Sequence, residues 1–101
     1  MIAHVVTFSW QAHVTEADVD ALEAALAELP AAIPAIKGYF FGRDLGLRQG
    51  NAHFGVVALV DDAEAIGAYL DHPAHKRLAA ERIGPMTAER RALQLTWPEQ
   101  G

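Results

Sequence analysis

The chain has 101 residues, of which 51% are hydrophobic, so its length and composition fit one globular domain over residues 1–101 with a modest core. It has no cysteine, which excludes disulfides, thiolate metal sites and cysteine nucleophiles and fits a cytoplasmic location. The formal net charge is −5, no apolar run reaches the roughly 18 residues of a membrane span, and no basic segment precedes an apolar N-terminal core. We therefore expect no nucleic-acid partner, no membrane partner and no signal peptide.

The first predicted strand covers residues 2–10, where the side chains alternate in bulk. Every second residue of a strand faces the same side of a sheet, so the bulky side chains share one face with a histidine. We expect the helices to cover this face. It carries His4, Val6, Phe8 and Trp10.

A helix is predicted over residues 16–29, directly after Thr15, a residue type that caps helix N-termini. Asp18 follows three residues later and forms a shortened capping box. Pro30 and Pro34 are expected to end the helix and to make an extended connection. Apolar residues recur at helical spacing and predict one buried stripe of Val19, Leu22, Leu26 and Leu29.

Two further strands are predicted over residues 37–45 and 52–60, with a turn between them. Arg43 and Asp44, near the end of the earlier strand, are expected to pair with each other. The later strand is apolar on both faces, with Phe54, Val56, Ala58 and Val60 on one face and Val57 and Leu59 on the other.

A strand that is apolar on both faces indicates how the chain assembles, because helices can cover only one face of the sheet. The simplest cover for the other face is a second copy of the chain, packed sheet against sheet, so the sequence predicts a homodimer. The alternative is a monomer with an exposed apolar patch, which is unusual for a soluble protein.

Asp61 is expected to cap a second helix, and Pro73 to stop it and open a continuation. That continuation should end at Gly84 and Pro85, before a last strand over residues 91–97. The resulting order, β-α-β-β-α-β, predicts an α+β, ferredoxin-like fold with a four-stranded antiparallel sheet and both helices on one face.

The break at Pro73 concentrates titratable side chains, since Tyr69, His72 and His75 all lie close to it. Imidazole titrates near neutral pH, so such a cluster can transfer protons. On a straight helix Tyr69 and His75 would point about 120° apart. Only a bend at Pro73 would bring them to one pocket.

Each of these side chains has a catalytic and a structural interpretation. His75 would be a neutral general base, because a helix N-terminus disfavours a second positive charge, or it would cap the helix break. Tyr69 would hold a carbonyl oxygen, or pack in the core. His4, with Val6 and Phe8 beside it, would bind substrate, or be a satisfied core histidine.

A metal site is less favoured than these catalytic and structural interpretations. His72 and His75 have a spacing that can place two ligands on one side of a helix, but the break separates them and no carboxylate stands at a third-ligand position. His72 is instead expected to be an N-cap or a solvent-exposed residue. We expect no metal and no cofactor.

Several segments together resemble the stress-responsive dimeric α/β-barrel (Dabb) family, over nearly the whole chain. The most specific is the Tyr-x-x-His-Pro-x-His element of residues 69–75; the others are residues 4–8, 33–36 and 42–44. The resemblance implies a dimer whose two four-stranded sheets close a barrel.

The resemblance also implies roles for particular residues. In a plant polyketide cyclase of this family, which closes its substrate by aldol chemistry without a cofactor, the catalytic tyrosine and histidine match Tyr69 and His75, and a pocket histidine matches His4. A cofactor-independent cyclase or lyase for a small hydrophobic or aromatic ligand is one interpretation. A non-catalytic stress-associated protein is the second, and a monooxygenase-like member of the wider dimeric barrel superfamily, based on fold analogy alone, is the third.

Overall fold

The computed structural model describes residues 1–98. The elements are β1 (Ile2–Trp10), α1 (Glu16–Ala32), β2 (Gly38–Arg43), β3 (Phe54–Val60), α2 (Ala63–Leu70), α3 (Pro73–Leu78), a π-helical turn (Ala79–Ile83), α4 (Gly84–Met86) and β4 (Thr87–Thr96). The strands form one antiparallel sheet in the order β2-β3-β1-β4, which confirms the predicted ferredoxin-like fold. Within the described residues, no helix is long and apolar enough to cross a membrane.

The core lies between the sheet and the helices, on the face of β1 that was predicted to be covered. His4, Val6 and Phe8 are all buried there. The helices contribute the predicted stripe of α1, and Tyr69, Leu78 and Met86 from the second half of the chain. Burial of these side chains away from water is the main favourable term that holds the helices on the sheet.

The start of α1 is as predicted, but its end is not. Thr15 accepts a hydrogen bond from the backbone N–H of Asp18, whose carboxylate accepts one from the N–H of Thr15. The helix then runs past Pro30 to Ala32. Leu29 and Ile33, both buried, hold this last turn, and the Ile33 N–H donates to the Leu29 carbonyl at 2.9 Å.

The caps in the second half also differ from expectation. Asp62, not Asp61, caps α2, and its carboxylate accepts the Ala65 N–H at 3.0 Å. Gly84 and Pro85 do not end the helical segment, because a proline in a first helical turn loses no intrahelical hydrogen bond. The buried Met86 closes this turn, and β4 begins at Thr87, earlier than predicted.

Arg43 and Asp44 do not pair with each other. Consecutive strand residues point to opposite faces, and Arg43 points to the helix side, where it binds Asp20 and Glu23 of α1. Asp44 instead accepts hydrogen bonds from the Gly46 backbone and the Asn51 side chain within the following turn.

The opposite face of the sheet is open. Four apolar residues pair in register across it, one from each strand, and we call them the open row: Phe40, Val57, Val5 and Leu93. Phe40 is 59% and Leu93 53% exposed, which is unusual for large apolar side chains in one continuous row.

Candidate functional site

A cavity of about 70 Å³ lies between the helices and the covered face of the sheet. A larger groove of about 380 Å³, beside Trp10 and Arg43, is more open to solvent and contains none of the candidate residues. The smaller cavity is lined by all the side chains that the sequence singled out as catalytic or substrate-binding: His4, Val6, Phe8, Tyr69 and His75.

Tyr69 is at the centre of this group and is only 2% exposed. Its ring centroid lies 4.7 Å from that of His75 and 6.1 Å from that of His4, both in edge-to-face geometry. Two imidazoles from distant parts of the chain therefore contact one phenol.

The helix break makes this meeting possible. Helix α2 ends at Leu70 and α3 begins at Pro73, so Tyr69 and His75 belong to two helices rather than to one straight helix. His72 caps α3, its Nδ1 accepting the Ala74 N–H at 3.1 Å, and it does not line the cavity. His72 therefore provides the N-cap of α3. The structural interpretation of His75, as a residue that caps backbone groups at the break, stays a prediction beside the catalytic one, because its ring interacts with the Leu70 carbonyl at the end of α2.

His75 is half-buried, and burial is the main reason that its pKa lies below the usual value of 6.5. The Arg90 charge lowers this pKa further, while a hydrogen bond to the Leu70 carbonyl and the charge of Asp71 raise it. This direction agrees with the expected neutral ring, and burial is its main cause. A neutral imidazole has one unprotonated nitrogen.

His4 is also held neutral. Burial, the charge of Arg90 and the proximity of His75 all lower its pKa. Its Nδ1 lies 2.8 Å from the side-chain nitrogen of Gln94, its partner across β1 and β4. An amide nitrogen has hydrogens and no free lone pair, so Gln94 donates to Nδ1, and the His4 ring keeps Nε2–H as its own donor.

A second phenol supports Tyr69, which the sequence did not indicate. The hydroxyl oxygens of Tyr39 and Tyr69 lie 3.0 Å apart. Burial raises the pKa of both hydroxyls, and either can donate the hydrogen bond that joins them. When Tyr39 donates, the Tyr69 hydrogen is available to a cavity ligand.

Sequence reasoning therefore missed Tyr39, Gln94 and Arg90, the last of which also lines the cavity. Only strand register could have indicated Tyr39 and Gln94, because these residues lie in one row with His4 across the sheet. Within residues 1–98, no group of three His, Cys, Asp or Glu side chains could hold a metal ion.

Comparisons with known proteins agree with this fold. A model of the stress-responsive A/B barrel domain matches residues 2–96. A dimeric ferredoxin-like protein of unknown function from Thermobifida fusca is 46% identical, with a TM-score of 0.89 over 95% of this chain and 90% of that chain. No curated protein matches the chain.

Two plant structures share the fold at lower identity. A protein from Arabidopsis thaliana is 22% identical, with a TM-score of 0.82 over 100% of this chain and 99% of that chain. A hydroxynitrile lyase from Passiflora edulis is 17% identical, with a TM-score of 0.84 over 99% of this chain and 95% of that chain. At these identities the likeness extends to the fold alone.

Proposed function

Because the chain belongs to the stress-responsive A/B barrel (Dabb) family, over residues 2–96, we propose that it binds a small molecule and acts as a cofactor-independent enzyme of the cyclase or lyase type. The observation that carries this proposal is the cavity in which Tyr69 contacts two neutral imidazoles. A hydroxynitrile lyase with the same fold supports the lyase form. The absence of cysteine supports a cytoplasmic location.

His75 is the proposed general base. Its unprotonated nitrogen takes a proton from the carbon next to a substrate carbonyl, and the C–H electron pair moves to form an enolate. A base that is neutral at pH 7 has the lone pair that this step requires, and burial keeps His75 in that state.

Tyr69 and His4 stabilise the negative charge that develops on the carbonyl oxygen. The Tyr69 O–H, when Tyr39 donates the hydrogen bond between the two phenols, and the His4 Nε2–H are the proposed donors to this oxygen. In a cyclase the enolate carbon then attacks a second carbonyl, and the His75 imidazolium returns the proton to the new alkoxide. A lyase follows the reverse course.

We also propose that two copies of the chain pack through their open rows. The open row is apolar in all four strands and exposed at its edges. The Thermobifida fusca relative, at 46% identity, is described as dimeric. Packing sheet against sheet would remove this surface from water, which is the usual driving force for association.

The catalytic proposal is tested by deuterium exchange next to a ketone. Levulinate and levulinamide, two small methyl ketones, are incubated with the protein in D2O, and loss of the α-hydrogen signals is followed by proton NMR. We expect the wild-type protein to accelerate exchange above buffer with at least one of them. His75→Ala should return the rate to background while size-exclusion chromatography and circular dichroism show an unchanged fold.

His72→Asn is the matched control, because asparagine retains an N-cap side chain and removes an imidazole that does not line the cavity. This variant should keep the wild-type exchange rate. Wild-type exchange at the buffer rate, or full exchange in His75→Ala, would reject the role of His75 as the base.

A non-catalytic small-molecule-binding or stress-associated protein is the second candidate. The small volume of the cavity, about 70 Å³, favours it. Within the described residues, every fully buried side-chain nitrogen and oxygen has a hydrogen-bond partner, which also favours this candidate. This candidate predicts no exchange above buffer in any variant.

A further inference from the structure

Arg90 differs from every other described residue that lines the cavity. Among the described residues that line the cavity, only Arg90 is charged. Its side chain is exposed, whereas the others are buried or half-buried. It lies on β4, opposite Phe8, and so faces the helix side of the sheet. The cavity therefore opens to solvent beside a single positive charge, in a chain whose net charge is −5.

The guanidinium of Arg90 has no carboxylate partner among residues 1–98. Its neighbour Glu89 points to the opposite face and pairs with Arg91 at 2.5 Å. A guanidinium binds a carboxylate through two parallel hydrogen bonds. Arg90 is thus a charge-complementary site for an anion at the mouth of the cavity.

Arg90 is also close enough to act on the groups inside. After burial, its positive charge is among the causes that lower the pKa values of His75 and His4, and it opposes the rise in the pKa of Tyr69. Charges act more strongly on one another in poorly solvated surroundings than in water. An anion at Arg90 would therefore sit within electrostatic reach of all three candidate groups.

Building on the proposed function, we infer that the substrate is a small carbonyl compound carrying a carboxylate, which Arg90 binds while the carbonyl oxygen reaches Tyr69. The cavity admits only the reacting end of a molecule, and Arg90 would hold the charged end at the mouth. Binding would also offset the Arg90 charge that opposes protonation of His75. The substrate itself would thus make His75 a stronger base.

Levulinate and levulinamide test this inference, because they have equal numbers of heavy atoms and differ in charge. Binding is measured by titrating each compound while the ring-proton NMR signals of His4 and His75 are followed. Arg90 is exposed, and water screens an exposed ion pair, so we expect levulinate to bind about 5-fold more tightly than levulinamide.

Arg90→Met should remove this preference. Arg90→Lys should keep part of it, since the charge stays and the paired hydrogen bonds are lost. Arg82→Met is the matched control, because Arg82 is an exposed arginine of the π-helical turn that does not line the cavity. It should bind both compounds as the wild type does.

Three results would overturn the inference: equal affinity for the two compounds, a preference that survives in Arg90→Met, or no shift of either histidine with either compound. The proposed function fails separately. If levulinate binding depends on Arg90 but exchange is independent of His75, the anion site stands without the catalysis. If exchange depends on His75 equally for both compounds, the base stands without the anion site.

Discussion

Two rows of side chains cross the same sheet one residue apart and face opposite ways. The open row consists of Phe40, Val57, Val5 and Leu93. The covered row, under the helices, consists of their neighbours Tyr39, Ala58, His4 and Gln94.

The two rows differ in polarity. The covered row has three polar side chains, of which His4 is buried, Tyr39 half-buried and Gln94 exposed at the sheet edge, whereas the open row is entirely hydrocarbon and is exposed at both edges. Burying an unbonded polar group costs about 1–3 kcal/mol, and here Tyr39 and His4 are bonded, to Tyr69 and Gln94. The polar side chains of the covered row are the basis of the proposed ligand site, and the hydrocarbon of the open row is the basis of the proposed interface.

The largest expected effect comes from the centre of the covered side. Tyr69→Ala removes a buried ring that contacts both imidazoles, so we expect a loss of about 3–5 kcal/mol in the free energy of unfolding. Urea denaturation measures this loss. Leu47→Ala, at an exposed loop position, should change stability by less than about 0.5 kcal/mol. A Tyr69→Ala loss as small as that of Leu47→Ala would show that the cavity group does not hold the core together.

The open row should respond in assembly rather than in folding. Val57→Asp places an unpaired carboxylate at the centre of the proposed interface, and we expect the dimer to weaken by at least about 100-fold, or roughly 3 kcal/mol. Light scattering coupled to size-exclusion chromatography reports the mass. Ala24→Asp adds the same charge to the exposed side of α1 and should leave the dimer intact. A dimer that persists in Val57→Asp would exclude the open row as the interface.

The covered side should also make stability depend on pH. His4 and His75 have lowered pKa values in the folded chain, so the unfolded chain binds more protons below their usual value of 6.5. Their contribution is fully present above that pH and is lost as the pH falls through the lowered folded values. Each unit of lowering corresponds to about 1.4 kcal/mol.

We therefore expect the urea midpoint to fall between about pH 7 and about pH 5. The double variant with His4→Gln and His75→Gln should flatten this slope. The lowered pKa of Asp18 acts only below its usual 3.8, outside this window. A slope that is unchanged in the double variant would assign the pH dependence to other groups.

The smallest effect is expected from Tyr39→Phe, which removes a single hydroxyl group from the covered row. It removes the hydrogen bond to Tyr69 and should cost about 1 kcal/mol of stability. If Tyr39 positions Tyr69 for catalysis, exchange should slow by more than this loss of stability explains, and the pH profile of exchange should shift. An unaltered profile would limit Tyr39 to a packing role.

Local patterns along the chain predicted much of this arrangement. The alternation in β1 placed His4, Val6 and Phe8 on one face, and Thr15 and Pro73 marked helix boundaries because capping and the missing proline N–H act within a few residues. Where long-range packing competes with a local rule, prediction failed. Pro30 does not end α1, since buried Leu29 and Ile33 hold the last turn on the core.

The sequence by itself determined the order of the elements, the two-sided character of β3 and the concentration of Tyr69 and His75 around a helix break. Only the tertiary structure decided that Tyr39, Gln94 and Arg90 join them. These residues come from β2 and β4, whose places in the sheet depend on pairing between segments far apart in the chain. Side-chain alternation assigns a residue to a face of its own strand, but the register between strands decides which residues meet on that face.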